Sequence, residues 1–176
     1  VRPSLASRSP RPLNLMEGDS DLQDLYREVL MDYFRDAARK GKLEPADFRS
    51  HGINPVCGDE IEVAMKMGAD GRIELIRFMG HGCVISQASS AMMAEALEGR
   101  SPERARQLVA AFKNMMISGT SAENLPEELE TLKALEGVRK FPMRVKCATL
   151  AWNTLHQGLA QRQGRSAEYE EIESSD

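Results

Sequence analysis

The segment EIEVAMKMGADGRIELIRFM, residues 60–79, decides the fold of this chain. Over residues 60–67 apolar and polar residues alternate, which is the period of a half-buried strand. Residues 72–79 alternate less cleanly, with predicted inward positions at Ile73, Leu75 and Arg77. Gly68-Ala69-Asp70-Gly71 separates the two runs, and its Asp-Gly pair is typical of the positive-φ positions of a tight turn. The segment therefore predicts a hairpin of two antiparallel strands.

Helical patterns lie on both sides of the hairpin. Apolar residues at helical spacing predict a first helix that begins at a cap among residues 19–21 and is stopped by Gly41. After the hairpin, residues 83–97 contain neither Gly nor Pro, and Ser101-Pro102-Glu103 has the N-cap and N1 residues of a following helix. Two more helices are predicted at about residues 126–135 and 143–161, and a third strand before Cys57.

Strands followed by helices, with no strand-helix-strand alternation, predict an α+β fold. In it a small antiparallel sheet of about three strands carries helices on one face. Residues 21–162 are the predicted domain. Residues 1–20 are rich in Pro, Ser and Arg and include Met16, which predicts a disordered leader or a start-site extension. The acidic residues 163–176 predict a flexible tail.

Composition argues against several classes of function. The formal net charge of −4 leaves no surplus of Lys and Arg for a phosphate backbone, so nucleic acid is not an expected partner. Apolar stretches are broken by charges every few residues, so no membrane span is expected. Three cysteines cannot all pair and no secretory signal is evident, which predicts a cytoplasmic protein whose thiols are free or bind metal.

Two cysteines flank the predicted hairpin. In Asn54-Pro55-Val56-Cys57-Gly58-Asp59, a Pro and a Gly place Cys57 on a tight, exposed loop before the first hairpin strand. In Gly80-His81-Gly82-Cys83, the second cysteine lies at the start of a helix, where the helix dipole favours a thiolate. Because the two ends of a hairpin lie side by side, Cys57 and Asp59 are predicted to lie near Cys83.

The third cysteine, Cys147, follows Arg144 and Lys146 near the start of the last helix, and these cations are expected to favour its thiolate. Three thiolates and one carboxylate suit tetrahedral zinc. The residues alone leave other interpretations open. A single free cysteine is more often a small buried hydrophobe, and Asp59 is equally suited to be a turn residue. The spacing from Cys57 to Cys83 is also too long for a compact zinc finger.

Other side chains have weaker claims to the site. His81, between two glycines, is a candidate ligand or proton relay, although an exposed loop histidine is the commoner case. His156 is assigned to the surface or to packing. Four methionines at helical spacing form either a soft binding stripe or core filler, and core filler is favoured: Met92, Met93, Met115 and Met116.

Four motifs in order resemble the SufU proteins, within the broader IscU-like superfamily of iron-sulfur cluster assembly factors. They are residues 25–33 (LYREVLMDY), 54–59 (NPVCGD), 82–89 (GCVISQAS) and 140–152 (KFPMRVKCATLAW). The resemblance covers about residues 22–158. Two features are SufU-like rather than scaffold-like: an insertion around residues 110–135, and Lys146 where scaffold types carry His.

The resemblance implies that Cys57, Asp59, Cys83 and Cys147 hold one zinc ion. It also implies that a PLP-dependent cysteine desulfurase of the SufS type, after one of its histidines replaces Cys57 on the metal, transfers sulfur to Cys57. The activity would be a sulfurtransferase reaction by transpersulfidation, with a SufBCD-type scaffold downstream. Arg144 would then steady the partner or the leaving thiolate; a solvated charge at a helix end is the equally common alternative.

Two rival functions use the same residues. In the first, the chain is a scaffold whose four ligands bind iron or a transient iron-sulfur cluster. The insertion and Lys146 favour sulfur transfer over this role. In the second, the chain is a zinc-stabilised adaptor that binds the desulfurase and only activates it.

Overall fold

The sheet is an antiparallel meander. In the computed structural model, which describes residues 17–162, β1 (Phe48–Asn54) pairs with β2 (Asp59–Met67), and β2 pairs with β3 (Ile73–His81). The strand order is β1-β2-β3. β1 is the strand predicted before Cys57. The α+β fold class predicted from the sequence is confirmed.

The turn between β2 and β3 differs from the predicted one in its backbone. The Gly68 N–H donates to the Arg72 carbonyl at 2.8 Å, and the Arg72 N–H donates to Asp70 Oδ1 at 3.0 Å. Gly71 has a φ of +79°, whereas Asp70 keeps a negative φ. The prediction that both residues of the Asp-Gly pair take positive φ is therefore wrong for Asp70. The loop is longer than a two-residue turn, and one left-handed residue closes it.

A β-bulge makes the alternation of β3 differ from the predicted one. Lys66 pairs with Leu75 and Met67 pairs with Ile73, so Glu74 is an extra residue on β3. Because one inserted residue reverses which side chains face inward, burial passes from Ile73 to Ile76 and Phe78. Leu75 and Arg77, predicted as inward positions, are only half-buried.

The helices follow the predicted order. They are α1 (Glu17–Arg35), α2 (Val84–Leu97), α3 (Pro102–Lys113) and α4 (Pro142–Arg162), with a π-helical turn (Asn114–Ser118) and two 3-10 helices (Ala122–Asn124 and Glu127–Lys140) between α3 and α4. Ser101 caps α3 by accepting a hydrogen bond from the Arg104 N–H at 3.1 Å, as its sequence predicts. The helix predicted at residues 126–135 is instead a 3-10 helix that runs to Lys140.

The first helix has different ends from those predicted. It begins at Glu17, so the predicted boundary between leader and domain at residue 20 falls inside α1. It ends at Arg35 rather than near Gly41, because the chain then turns towards the sheet and the Gly41 N–H donates to the Phe78 carbonyl at 2.9 Å. The rest of the predicted leader, residues 1–16, and the predicted acidic tail, residues 163–176, lie outside the described residues.

Helices α2 and α4 lie on one face of the sheet, and their packing builds the core. Phe112 of α3 stacks on Trp152 of α4 with ring centroids 4.2 Å apart. All four methionines of the candidate stripe are buried, which agrees with core filler. No helix in residues 17–162 is long and apolar enough to cross a membrane.

A buried hydroxyl joins α2 to α4. Ser89 donates to the Ala148 carbonyl at 2.6 Å and accepts from the Trp152 Nε1–H at 2.9 Å. Both bonds are buried, where the loss of a partner costs more than it does at the surface. Since Cys83 caps α2 and Cys147 lies on α4, Ser89 helps to fix the distance between the helices that carry these two cysteines.

Close approach of α4 to β1 depends on Gly52. A Cβ at this position would lie 2.1 Å from Thr154 Oγ1 and 3.3 Å from Leu150 Cδ1, both on α4. Thr154 is itself buried, and its hydroxyl bonds to the Leu150 carbonyl. A side chain at residue 52 would therefore push α4, and Cys147 with it, away from the sheet.

We expect Gly52→Ala to lower the free energy of unfolding by about 2 kcal/mol, the usual cost of overpacking a tight core. The corresponding fall in Tm is roughly 6 °C for a domain of this size. Thermal unfolding followed by circular dichroism measures it. Gly137→Ala is the matched control, because a Cβ there meets no atom within 4 Å. Equal Tm values for the two variants would contradict this account of the α4–β1 contact.

Candidate metal centre

Three of the predicted ligands come together at one end of the sheet. The ligand atoms of Cys57, Asp59 and Cys147 all lie within 4.8 Å of one another. The two sulfur atoms, Cys57 Sγ and Cys147 Sγ, are 3.3 Å apart. Cys57 lies on the loop between β1 and β2, Asp59 is the first residue of β2, and Cys147 lies on α4.

The loop that carries Cys57 is held by Asn54. This residue ends β1 and pairs with Asp59 across the hairpin. Its carbonyl accepts from the Gly58 N–H at 2.8 Å, and its side-chain Oδ1 accepts from the Val56 N–H at 3.2 Å. Gly58 has a φ of +71°, which a glycine adopts without strain. Cys57 is exposed on this loop, as predicted.

Cys147 is buried, with 1% of its surface exposed. Its sulfur lies 3.6 Å from the Met143 carbonyl, and Cys57 Sγ lies 3.9 Å from the same oxygen. Burial raises the pKa of the Cys147 thiol above its ordinary range, and hydrogen bonds with Cys57 and Asp59 raise it further. Arg144 attracts the Cys147 thiolate, as predicted, but burial outweighs this attraction in the protein without metal. A bound metal cation would instead lower the pKa of this thiol and favour the thiolate.

Cys83 lies beside this group but is turned differently. It is the N-cap of α2, and its sulfur accepts from the Ser86 N–H at 3.5 Å. The chain just before it passes close to Asp59, since a Cβ on Gly82 would lie 3.1 Å from Asp59 Cγ. The structure therefore brings the Cys83 segment to the centre, while the sulfur of Cys83 is outside the group of three converging ligand atoms.

Arg144 is exposed on the first turn of α4. A hydrogen bond to Cys83 raises the pKa of its guanidinium, and the negative charge of Cys83, Cys147 and Cys57 has the same effect. Its guanidinium therefore lies beside the Cys83 sulfur. His81 and His156 are exposed, and neither belongs to the group of converging ligands in residues 17–162.

The donor set fits a zinc ion. Asp59 is only 4% exposed, and its Oδ2 has no hydrogen-bond partner among the described residues. A buried carboxylate oxygen without a partner is costly unless a cation compensates it. Thiolates with a carboxylate are ligands that zinc accepts, and thiolates also suit iron. The unpartnered oxygen of Asp59 therefore supports a metal ion at this position. It does not distinguish zinc from iron, since thiolates bind both.

Asn54 lies in the NPVCGD motif, but no role for it was predicted from the sequence. Its side-chain Nδ2 also donates to Cys147 Sγ at 3.8 Å, in a buried contact. The sequence indicates its contact with the Val56 N–H, since Asn at a turn commonly hydrogen-bonds the backbone two residues on. The contact with Cys147 could not be read from the chain, because 93 residues separate the partners.

Comparison with protein families identifies one match. A model of the NifU-like N-terminal domain family matches residues 25–148. This range contains β1 to β3, α2, α3 and all four predicted ligands.

Two relatives of known sequence cover most of the chain. The zinc-dependent sulfurtransferase SufU of Bacillus subtilis (strain 168) is 38% identical over 149 residues, which are 85% of this chain and 99% of the relative. The iron-sulfur cluster assembly scaffold protein IscU of Streptococcus pyogenes serotype M1 is 40% identical over 141 residues, which are 80% of this chain and 86% of the relative.

Solved structures have the same fold. An iron-sulfur cluster assembly scaffold protein for the SUF system from Fervidobacterium islandicum AW-1 matches with a TM-score of 0.65 and 33% identity, over 75% of this chain and 94% of that chain. The N-terminal part of a NifU-like protein from Brucella abortus has a TM-score of 0.72 at 23% identity, over 81% and 97% of the two chains. The latter shows the fold alone.

Metal should stabilise the fold through Asp59. With zinc at about 100 times its Kd, binding adds about 2.7 kcal/mol to the free energy of unfolding, a rise in Tm of roughly 8 °C. We expect this rise when zinc is added to chelator-treated protein. Differential scanning fluorimetry measures it with and without the metal.

Asp59→Ala should lose most of that zinc-dependent rise, since it removes a ligand and the unpaired buried carboxylate together. Asp24→Ala is the matched control, because Asp24 is exposed on α1, far along the chain from the centre. A full zinc response in Asp59→Ala would show that the carboxylate is not a ligand.

Proposed function

The chain belongs to the NifU-like N-terminal domain family, and we propose that it acts in iron-sulfur cluster assembly as a zinc-dependent sulfur acceptor. Its similarity to SufU and IscU relatives confirms the resemblance inferred from the four motifs. The observation that carries the proposal is an exposed thiol, Cys57, beside a buried carboxylate and a buried thiol. In the proposal, a SufS-type PLP cysteine desulfurase donates the sulfur and a SufBCD-type scaffold receives it.

We assign the zinc ligands as Cys57, Asp59, Cys83 and Cys147. When bound, zinc supplies positive charge that keeps its thiol ligands deprotonated at neutral pH. Cys83 is included because the chain segment just before it lies close to Asp59, where a Cβ on Gly82 would be 3.1 Å from Asp59 Cγ. Its contact with the Ser86 N–H is compatible with a thiolate, since the N-terminus of α2 favours negative charge.

The chain's own contribution to sulfur transfer is the Cys57 nucleophile. The Cys57 thiolate attacks the outer sulfur of the desulfurase persulfide, a bond forms between these two sulfur atoms, and the bond to the desulfurase cysteine breaks. The desulfurase cysteine leaves as a thiolate, and Cys57 carries the persulfide. No external oxidant or reductant is needed, because one sulfur-sulfur bond replaces another.

Exposure supports the choice of Cys57 over Cys147. A partner protein has to reach the attacking sulfur, and Cys147 is covered by the core whereas Cys57 is not. Cys57 also lies on a four-residue loop, so it can shift without moving a helix. Arg144 is suited to the leaving thiolate, because its exposed guanidinium already hydrogen-bonds the Cys83 sulfur.

The runner-up is a scaffold that binds iron or a nascent cluster at the same residues. Several relatives named as IscU scaffolds give it support, including the one from Streptococcus pyogenes. Against it, the described group of ligands contains no histidine, and Lys146 stands directly before Cys147. Lysine is a poor ligand at neutral pH because it is protonated.

We expect Cys57→Ala to abolish stimulation of a SufS-type desulfurase and to accept no persulfide. The purified wild-type protein should contain one zinc per chain by elemental analysis. Sulfide or alanine release measures desulfurase turnover, and mass spectrometry of the alkylated protein locates the persulfide. Ser118→Ala, a similar truncation at an exposed residue of the π-helical turn, is the control that should retain full stimulation.

The alternatives give different results in the same experiment. Unchanged stimulation by Cys57→Ala would make the chain an adaptor rather than an acceptor. Iron with labile sulfide in anaerobically purified protein, without stimulation of turnover, would make it a scaffold. Either result contradicts the proposed sulfur transfer.

A further inference from the structure

The three sulfur atoms of the centre differ in the N–H groups that face them. Cys147 Sγ accepts from Asn54 Nδ2, and Cys83 Sγ accepts from the Ser86 N–H. Cys57 Sγ has contacts with the Met143 carbonyl and with Cys147, and no N–H donor to it is found among the described residues. The exposed sulfur is thus the one that receives no N–H hydrogen bond.

The Asn54 side chain is fixed in orientation by two contacts. The Val56 N–H can only donate, so the amide oxygen has to face it at 3.2 Å. The amide nitrogen is then left to face Cys147 Sγ at 3.8 Å. A flipped amide would put a donor against a donor and an oxygen against sulfur. Asn54 is buried, with 4% of its surface exposed, so such a mismatch would be costly.

We propose that Asn54 is a positioning residue that gives Cys57 and Cys147 different roles. Its Nδ2–H holds the Cys147 sulfur as a permanent ligand, and its Oδ1 shapes the loop that presents Cys57. The assignment of Cys57 as the reacting thiol and Cys147 as the retained ligand rests on the proposed function. The contacts of Asn54 are present without a desulfurase.

Hydrogen-bond chemistry supplies the reason. An N–H bond to a thiolate stabilises its negative charge and withdraws electron density from the sulfur. A sulfur without such a bond stays more electron-rich and is the better nucleophile. The pattern of donors therefore favours attack by Cys57 and disfavours attack by Cys147, in addition to the difference in their burial. Groups that bond to ligands in this way commonly tune a metal site without touching the metal.

The matched variants are Asn54→Ser and Asn54→Ala. Serine has a hydroxyl that can accept from the Val56 N–H two residues on, but it is too short to reach Cys147. Alanine removes both contacts. Asn153→Ser is the control, since it makes the same change at a half-buried residue of α4 six positions beyond Cys147.

Cobalt(II) replaces zinc as the spectroscopic probe, and no desulfurase is present. Loss of the N–H bond raises the energy of the sulfur electrons. We therefore expect the sulfur-to-cobalt charge-transfer band to move to longer wavelength in Asn54→Ser and Asn54→Ala, and to stay in place in Asn153→Ser. A band unchanged in Asn54→Ser, at one cobalt per chain, would overturn the inference whatever the outcome of the sulfur-transfer experiment.

Alkylation separates the two roles of Asn54. In the cobalt-loaded protein, the rate of iodoacetamide modification at Cys57 is followed by mass spectrometry. Loss of the loop contact should change that rate by about fivefold in Asn54→Ala, the factor that corresponds to one hydrogen bond. Asn54→Ser should keep the wild-type rate. Equal rates in all three proteins would overturn the assignment of the loop to Oδ1.

Asn54→Asp keeps the size of the side chain and serves if the smaller residues prevent folding. It retains an acceptor for the Val56 N–H and replaces the donor to Cys147 by an oxygen. The expected result is again a shift to longer wavelength, with weaker cobalt binding because two negative groups then face each other. Tight binding with an unshifted band would contradict the proposed N–H contact.

Discussion

A buried carboxylate with an unpaired oxygen is the constraint on which the metal centre depends. Asp59 begins β2, is almost fully buried, and keeps one oxygen, Oδ2, without a hydrogen-bond partner among the described residues, although Cys57 and Cys147 lie beside it. Once the neighbouring thiols also ionise, negative groups at such distances repel one another strongly away from water. A cation resolves this conflict only if the surrounding chain holds the ligands near its preferred geometry. The packing of α4 on β1 through Gly52, and the Ser89 bonds between α2 and α4, serve that requirement.

The three cysteines have unequal freedom because they lie on unequal elements. Cys147 is fixed by a helix that belongs to the core, and Cys83 is fixed by its role as the N-cap of α2. Cys57 is held only by the short loop between β1 and β2. Displacing Cys147 would move a helix and open the core, whereas displacing Cys57 changes a few backbone angles. The fold therefore anchors Cys83 and Cys147 through helices and leaves the exposed Cys57 on a short loop.

Local chemistry made much of the fold and site predictable. The hairpin, the caps at Cys83 and Ser101, and the convergence of Cys57 with Asp59 follow from spacing and turn residues within a few positions. The features that were predicted wrongly are set by contacts between distant segments. The phase of β3 changes at Glu74 because of a bulge, which alternation alone does not reveal. The high pKa of Cys147 results from burial and from neighbours more than 60 residues away, which outweigh the adjacent cations that the sequence displays.

The absence of a histidine from the ligand group bears on what such a centre can do. Cys57, Asp59 and Cys147 converge in residues 17–162, and no histidine joins them; in the proposed function Cys83 is the fourth donor. If Cys57 leaves in that proposal, two thiolates and a carboxylate remain, and Lys146, the residue just before Cys147, offers no replacement because an ammonium is not a metal ligand. A ligand from outside the chain is then needed to complete a tetrahedral shell. A site built in this way is closed while Cys57 is in place and becomes dependent on a partner when Cys57 reacts. In the proposed sulfur transfer, that dependence would couple release of the nucleophile to the arrival of the protein that carries its substrate.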